Sequence, residues 1–167
     1  NAKVTSRKSV LLELYQEDLE AQLKDDPALQ ESAGEMMAMV KRVKEPRALR
    51  LLWFFYNIPI DALQKVAETM DPLIAIEGSL LCDAPMDPCN ALMILVIGKV
   101  GAVMQDGRTD SLTGGCILGE SAVLPQAPEG SAEALIMSKQ PCVQRARATE
   151  LTVYLNITRG KLESLMA

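Results

Sequence analysis

The chain has 167 residues, 49% of them hydrophobic and 23% charged, with 10 Gly and 9 Pro, which is the composition of an ordinary globular protein rather than a disordered or fibrous one. Aromatics are only 4%, so aliphatic side chains must build the core, and a net charge of −5 argues against a protein held to nucleic acid by phosphate contacts. The absence of histidine removes the commonest general acid/base, the Ser-His and Cys-His dyads and every histidine-containing metal site.

In chain order, residues 1–70 carry apolar side chains at helical spacing. Leu11, Leu14, Tyr15, Leu19 and Leu23 form one stripe, with Glu13, Glu17, Asp18 and Glu20 largely off it, which predicts an amphipathic helix. Asp26-Pro27 supplies an N-cap followed by proline at the first helical position, predicting a helix over 27–44. After Pro46 a strongly apolar stretch, residues 49–55, predicts a short helix, and Asp61 with Gln64 is the start signal of another over 62–70.

Beyond Asp71-Pro72 the pattern changes to short β-rich runs at 73–76, 92–97, 100–104, 117–118, 134–137, 143–148 and 151–157. Gly78, Gly98, Gly107 and Gly114-Gly115 punctuate them as turn residues that tolerate positive φ. Several short strands with regular turns imply an antiparallel barrel, roll or sandwich. Thr158 is placed to cap a final helix over 159–166. The fold class expected is α+β, with a helical extension over 1–57 and a β roll with flanking helices over 58–167. Residues 1–50 carry nine basic and nine acidic groups, so the net negative charge resides in the rest.

Five stretches in order resemble the cyclic nucleotide-binding domain family, the β-roll module of catabolite activators, protein kinase A regulatory subunits and cyclic-nucleotide-gated channels. They are IPIDAL at 58–63, AIEGSLL at 75–81, ALMILVIGKVGAVMQ at 91–105, GGCILGESAVL at 114–124, and the run 143–157 with the helix after it. In the fourth, the Gly-Glu followed by a small residue is similar to the opening of the family's phosphate-binding cassette. There, backbone N–H groups at a helix N-terminus attract phosphate and the glutamate accepts from a ribose hydroxyl. The resemblance implies that Gly119 and Glu120 contact ribose and that Ser121 and Ala122 face phosphate.

The sequence departs from that family where a buried arginine should pair with the cyclic phosphate, because the matching position, six residues before Ala148, is Cys142. A neutral thiol cannot supply the bidentate, charge-assisted pair of a guanidinium. Cys142 also stands 22 positions after Glu120, about twice the family's usual cassette, which marks an inserted loop. Arg145 and Arg147, sharing strand parity, are the candidate substitutes; the plainer reading makes them a solvated face or ion pairs with Glu120, Glu129 or Glu133.

The remaining signals are weaker. Lys41, Arg42, Lys44, Arg47 and Arg50 form a basic cluster beside Trp53, Phe54 and Phe55. Lys41, Arg42, Arg47, Trp53 and Phe54 are accordingly candidates for binding a partner, as a contact to acidic lipid or to an acidic protein surface; the plainer reading is a solvated face above aromatics that fill the core. Cys82, Cys89, Cys116 and Cys142 lack any CxxC pair, so buried thiols are expected rather than zinc. No nucleophile stands with an activating base, and the carboxylates are scattered, so no enzyme is expected.

The expected role is a non-catalytic structural or interaction subunit or domain of a larger assembly; the alternative is a sensor of cyclic AMP, cyclic GMP or another small ligand. Protein partners are expected, without nucleic acid or metal, with a cofactor only in the sensor case and with membrane contact only indirect. A cupin-like roll or small barrel is the competing fold, with histidine lacking for a metal-dependent cupin. The apolar run 91–98 is too short to span a bilayer, nothing resembles a secretory signal, and the chain begins at Asn1 without methionine. The expected location is intracellular, in cytoplasm or in an organelle after removal of a targeting segment.

Overall fold

The computed structural model describes residues 26–83, 91–120 and 143–166. The stripe at 11–23, the strand at 134–137, Ser121, Ala122, Glu129, Glu133, Cys89 and Cys142 lie outside them. Among the described residues the order is α1 (Pro27–Val43), α2 (Pro46–Leu49), a 3₁₀ turn (Trp53–Phe55), α3 (Ile60–Thr69), eight strands, and α4 (Arg159–Met166). The strands are β1 (Asp71–Ala75), β2 (Leu80–Asp83), β3 (Ala91–Ile97), β4 (Val100–Met104), β5 (Thr109–Leu112), β6 (Ile117–Leu118), β7 (Val143–Ala148) and β8 (Thr152–Thr158).

Local chemistry sets the helix ends. The Asp26 carboxylate accepts from the Ala28 N–H at 3.0 Å, so the capped start ahead of Pro27 forms as the sequence implies. Thr158 Oγ1 likewise accepts from the Lys161 N–H at 3.4 Å at the start of α4. The expected helix over 49–55 is instead split into α2 and the 3₁₀ turn, since Leu52 takes an extended backbone (φ −76°, ψ 133°) between them. Helix α3 begins after Pro59, so Asp61 sits inside its first turn rather than at its cap.

Among the described residues all strand pairings are antiparallel and form two four-stranded sheets, β1-β8-β3-β6 and β2-β7-β4-β5. Between them lies a core of Cys82, Met93, Leu95, Val100, Leu118 and Ala146, with Leu81, Leu112, Cys116, Val143 and Tyr154 packed around it. On the other face of the first sheet Leu92, Ile94, Val153, Leu155 and Ile157 are also buried. Helix α4 packs on β8 and on α3, and α2 packs on α3. The inward residues of these helices, Leu49, Leu63, Val66 and Leu162, are buried with them. Strand β3 is therefore covered on both faces, which explains its unbroken apolar sequence.

The glycines expected at turns do take positive φ, at 84° for Gly78, 91° for Gly98, 83° for Gly107 and 87° for Gly115. Gly98, between β3 and β4, is doubly required: a Cβ there would also collide with the Leu151 carbonyl oxygen and with Thr152. Strands β2 and β5 are additions to the runs expected from sequence; β5, Thr-Asp-Ser-Leu, is exposed over its first three residues and lacks an apolar signal. The described residues from Met37 onward fall in one compact unit, which holds α2, the 3₁₀ turn and α3 together with the roll. Leu49 and Phe55, both fully buried, belong to it. No helix among the described residues is long and apolar enough to cross a membrane.

Candidate functional site

Strand β6 delivers the Gly-Glu pair to the roll. Leu118, paired with Met93 of β3, is fully buried in the core, and the two residues that follow leave it directly. Gly119 is buried with φ 78°, a left-handed conformation that favours glycine, and the chain turns helical at Glu120. Burial pushes the half-buried Glu120 carboxyl above the ordinary carboxylate range, partly offset by a hydrogen bond from its own backbone N–H. The position thus has the strand and the left-handed turn of the motif, with the carboxylate partly removed from water.

After a register shift that lets Val143 pack on the core, strand β7 alternates its side chains from Arg145 to Ala148. Ala146 and Ala148 are buried opposite Ala102 and Val100 of β4, facing the core. Arg145 and Arg147 alternate with them and occupy the outer face of that sheet. There Arg145 Nη2 lies 3.2 Å from Asp83 Oδ2 and donates to Oδ1 at 3.4 Å, across the β2–β7 pairing in which the two residues are direct neighbours. Asp83 is buried at 6% exposure, so the guanidinium compensates a carboxylate largely withdrawn from solvent. Arg147 Nη1 donates to the Gly78 carbonyl in the β1–β2 turn.

The structure therefore brings Gly119 and Glu120 together at the edge of the core and sends the two arginines elsewhere. The ion-pair reading of Arg145 holds among the described residues, where its partner is Asp83 rather than Glu120; Glu129 and Glu133 lie outside them. Sequence reasoning misses Asp83 because it lies 62 positions from Arg145 and becomes its neighbour only through β2, a strand without a clean sequence signature. The acidic residue closing the apolar run Leu-Leu-Cys is the available signal.

The partner-binding candidates also separate. Lys41, Arg42 and Arg47 are exposed. Trp53 is 58% exposed, which corrects the reading of the aromatic trio as core; Phe54 is half-buried and only Phe55 is fully enclosed. The three rings form edge-on contacts, Trp53 to Phe54 at 5.7 Å and Phe54 to Phe55 at 5.0 Å, so the chain of rings runs from the interior to the surface. Leu51 and Tyr56, not singled out from sequence, are exposed beside them. A fully buried Phe in an apolar run cannot be told from an exposed Leu by hydropathy, so only the fold separates them.

No family model and no curated protein matches the sequence. Solved structures do match the fold. A cyclic nucleotide-binding-like protein from Brucella abortus is 21% identical, with a TM-score of 0.52, over 73% of this chain and 97% of that one. A PKAR CBD2 structure bound to Sp-2Cl-cAMPS is 15% identical, with a TM-score of 0.52, over 78% of each chain. A cAMP-bound PfPKA-R structure is 17% identical, with a TM-score of 0.53, over 77% of this chain and 42% of that one. These likenesses establish the fold as a cyclic nucleotide-binding-like β roll of the α+β class, as the five sequence stretches imply.

Proposed function

We propose that the roll acts without catalysis, as a structural and interaction domain of a larger assembly, and that it does not hold a cyclic phosphate in the manner the family resemblance implies. The observation that carries this reading is the arrangement of β7. Its alanines face the core, while Arg145 and Arg147 sit on the outer face, engaged by Asp83 and by the Gly78 carbonyl. With Cys142 at the position matching the family's arginine, a buried phosphate would lose its hydration without a guanidinium in return, a cost of several kcal/mol.

A second reading, a sensor of cyclic AMP, cyclic GMP or another small ligand, draws on the other half of the site. Gly119 keeps the left-handed turn and Glu120 stands half-buried beside the core. Thermal melts of the full chain with each nucleotide decide between the two. A ligand at about a hundred times its dissociation constant stabilises by about 2.7 kcal/mol, a melting shift of several degrees at this size. The expected result at millimolar nucleotide is no saturable shift. A saturable shift abolished by Glu120→Ala overturns the structural reading, and its further loss in Arg145→Ala or Arg147→Ala identifies the phosphate's cation.

A further inference from the structure

Residues 47–56 wind through α2 and the 3₁₀ turn as a succession of tight turns. The Leu51 N–H donates to the Ala48 carbonyl, that of Leu52 to Leu49 and that of Phe55 to Leu52. Two side chains pin the segment inward, Leu49 and Phe55, neither with any exposed surface. Three large side chains of the same segment point outward: Leu51 is 86% exposed, Trp53 58% and Tyr56 67%. Arg47 and Arg50 are exposed among them, and Lys41 and Arg42, also exposed, close α1 just upstream.

The charge around these apolar side chains has one sign. Residues 41–60 hold five basic groups and a single acid, Glu45, in a chain that is otherwise acidic. The ion pairs among the described residues involve none of Lys41, Arg42, Arg47 and Arg50. The segment thus offers a protruding leucine, two amphipathic rings and a set of cations with no acidic partner seated on them.

We propose that this turn docks directly on anionic lipid headgroups. A leucine at such exposure needs a preformed pocket in a protein partner, whereas the acyl boundary of a bilayer receives it without one. Trp and Tyr rings settle at headgroup depth, where one end is apolar and the other wet. Guanidinium and ammonium groups meet the phosphates, each strengthening binding about fivefold near an anionic surface. The acidic remainder of the chain is repelled by the same surface, which orients the basic end toward it. Sequence reasoning leaves acidic lipid, an acidic protein surface and a solvated face above core aromatics all open; the exposure of Trp53 removes the last of these.

Trp53 is the chain's single tryptophan, so its emission reports this surface alone. The full chain is titrated with vesicles of phosphatidylcholine containing about 30% phosphatidylserine, and with vesicles of phosphatidylcholine only. The expected result is a blue shift with co-sedimentation on the anionic vesicles, absent on the zwitterionic ones. Binding should weaken at least about tenfold at ~1 M salt, where the screening length falls to ~3 Å. Leu51→Asp and the pair Arg47→Glu with Arg50→Glu, all at exposed positions, should each lower binding by about tenfold or more with an unchanged circular dichroism spectrum. The proposal is overturned by anionic vesicles leaving the emission unmoved, or by either variant binding as the parent does. It is equally overturned by a blue shift that follows protein concentration without lipid, which points to a second copy of the chain. A response to poly-glutamate but not to vesicles points instead to an acidic protein and also sinks it.

Discussion

Two apolar runs of nearly the same character meet opposite fates in this chain. Strand β3, ALMILVI, is buried or half-buried along its whole length, while LLWFFY at residues 51–56 leaves Leu51, Trp53 and Tyr56 largely in water. The difference does not lie in hydropathy. Strand β3 sits at the interior of its sheet between β8 and β6, with the roll core against one face and a second buried layer against the other. The 51–56 segment crosses its unit's surface in tight turns, which leave only Phe55 fully enclosed. Burial is assigned by what topology stacks on each side of a residue and not by the apolarity of the run alone.

The sharpest way to break that contrast is to truncate one residue of each kind. Leu95→Ala in β3 and Phe55→Ala in the turn should each lower unfolding free energy by about 3–5 kcal/mol, because both side chains are fully enclosed and leave cavities. Leu51→Ala, at a side chain that the same turn leaves in water, should stay within about 0.5 kcal/mol of the parent in the same urea titration. A loss at Leu51 comparable to that at Phe55 would mean the segment is covered after all, and the distinction between the runs would fall.

A smaller effect sharpens the account of where β3 ends. Gly98→Ala must place a side chain at φ 91° against the Leu151 carbonyl, so about 1–3 kcal/mol of stability should be lost, with the fold retained by circular dichroism. Gly107→Ala in the β4–β5 turn shares the positive φ but meets nothing within 4 Å, so it should cost less. Equal losses would show that conformation alone, and not close approach, limits the first site.

The smallest expected effect concerns the Gly-Glu pair. Burial raises the folded-state pKa of Glu120, so protonation is favoured in the folded chain, and stability from this group is present below the unfolded carboxylate range and lost as pH rises through the folded value. Glu120→Gln should therefore melt slightly higher than the parent at neutral pH, with the gap closing as pH falls through the carboxylate range. A gap that stays constant would remove the shift, and one that grows in acid would assign Glu120 a favourable charged partner and reverse its sign.

Much of the roll is legible in the sequence. Short apolar runs and turn glycines locate β3, β4, β6 and β7, and the Asp26 and Thr158 caps mark two helix starts, because these signals act within a few residues of where they are written. The Gly-Glu turn is legible only through the family resemblance. What escapes is decided at long range: the pairing of Asp83 with Arg145 needs two strands laid side by side, and the outward turn of Trp53 needs the position of every layer around it. Strand parity puts Arg145 and Arg147 on one face, but only the packing of Ala146 and Ala148 against Ala102 and Val100 says which face that is.

Strand β1 closes one margin of the first sheet, hydrogen-bonded among the described residues to β8 alone, and its second residue is Pro72. Proline brings no amide hydrogen to offer an incoming strand, and the Asp71 carboxylate beside it is held by Lys161 at 2.5 Å. A neighbouring molecule trying to extend the sheet there would find a missing donor and a charged pair at the point of entry. These two features disfavour templated growth at that margin, beside the apolar strand residues Leu73-Ile74-Ala75.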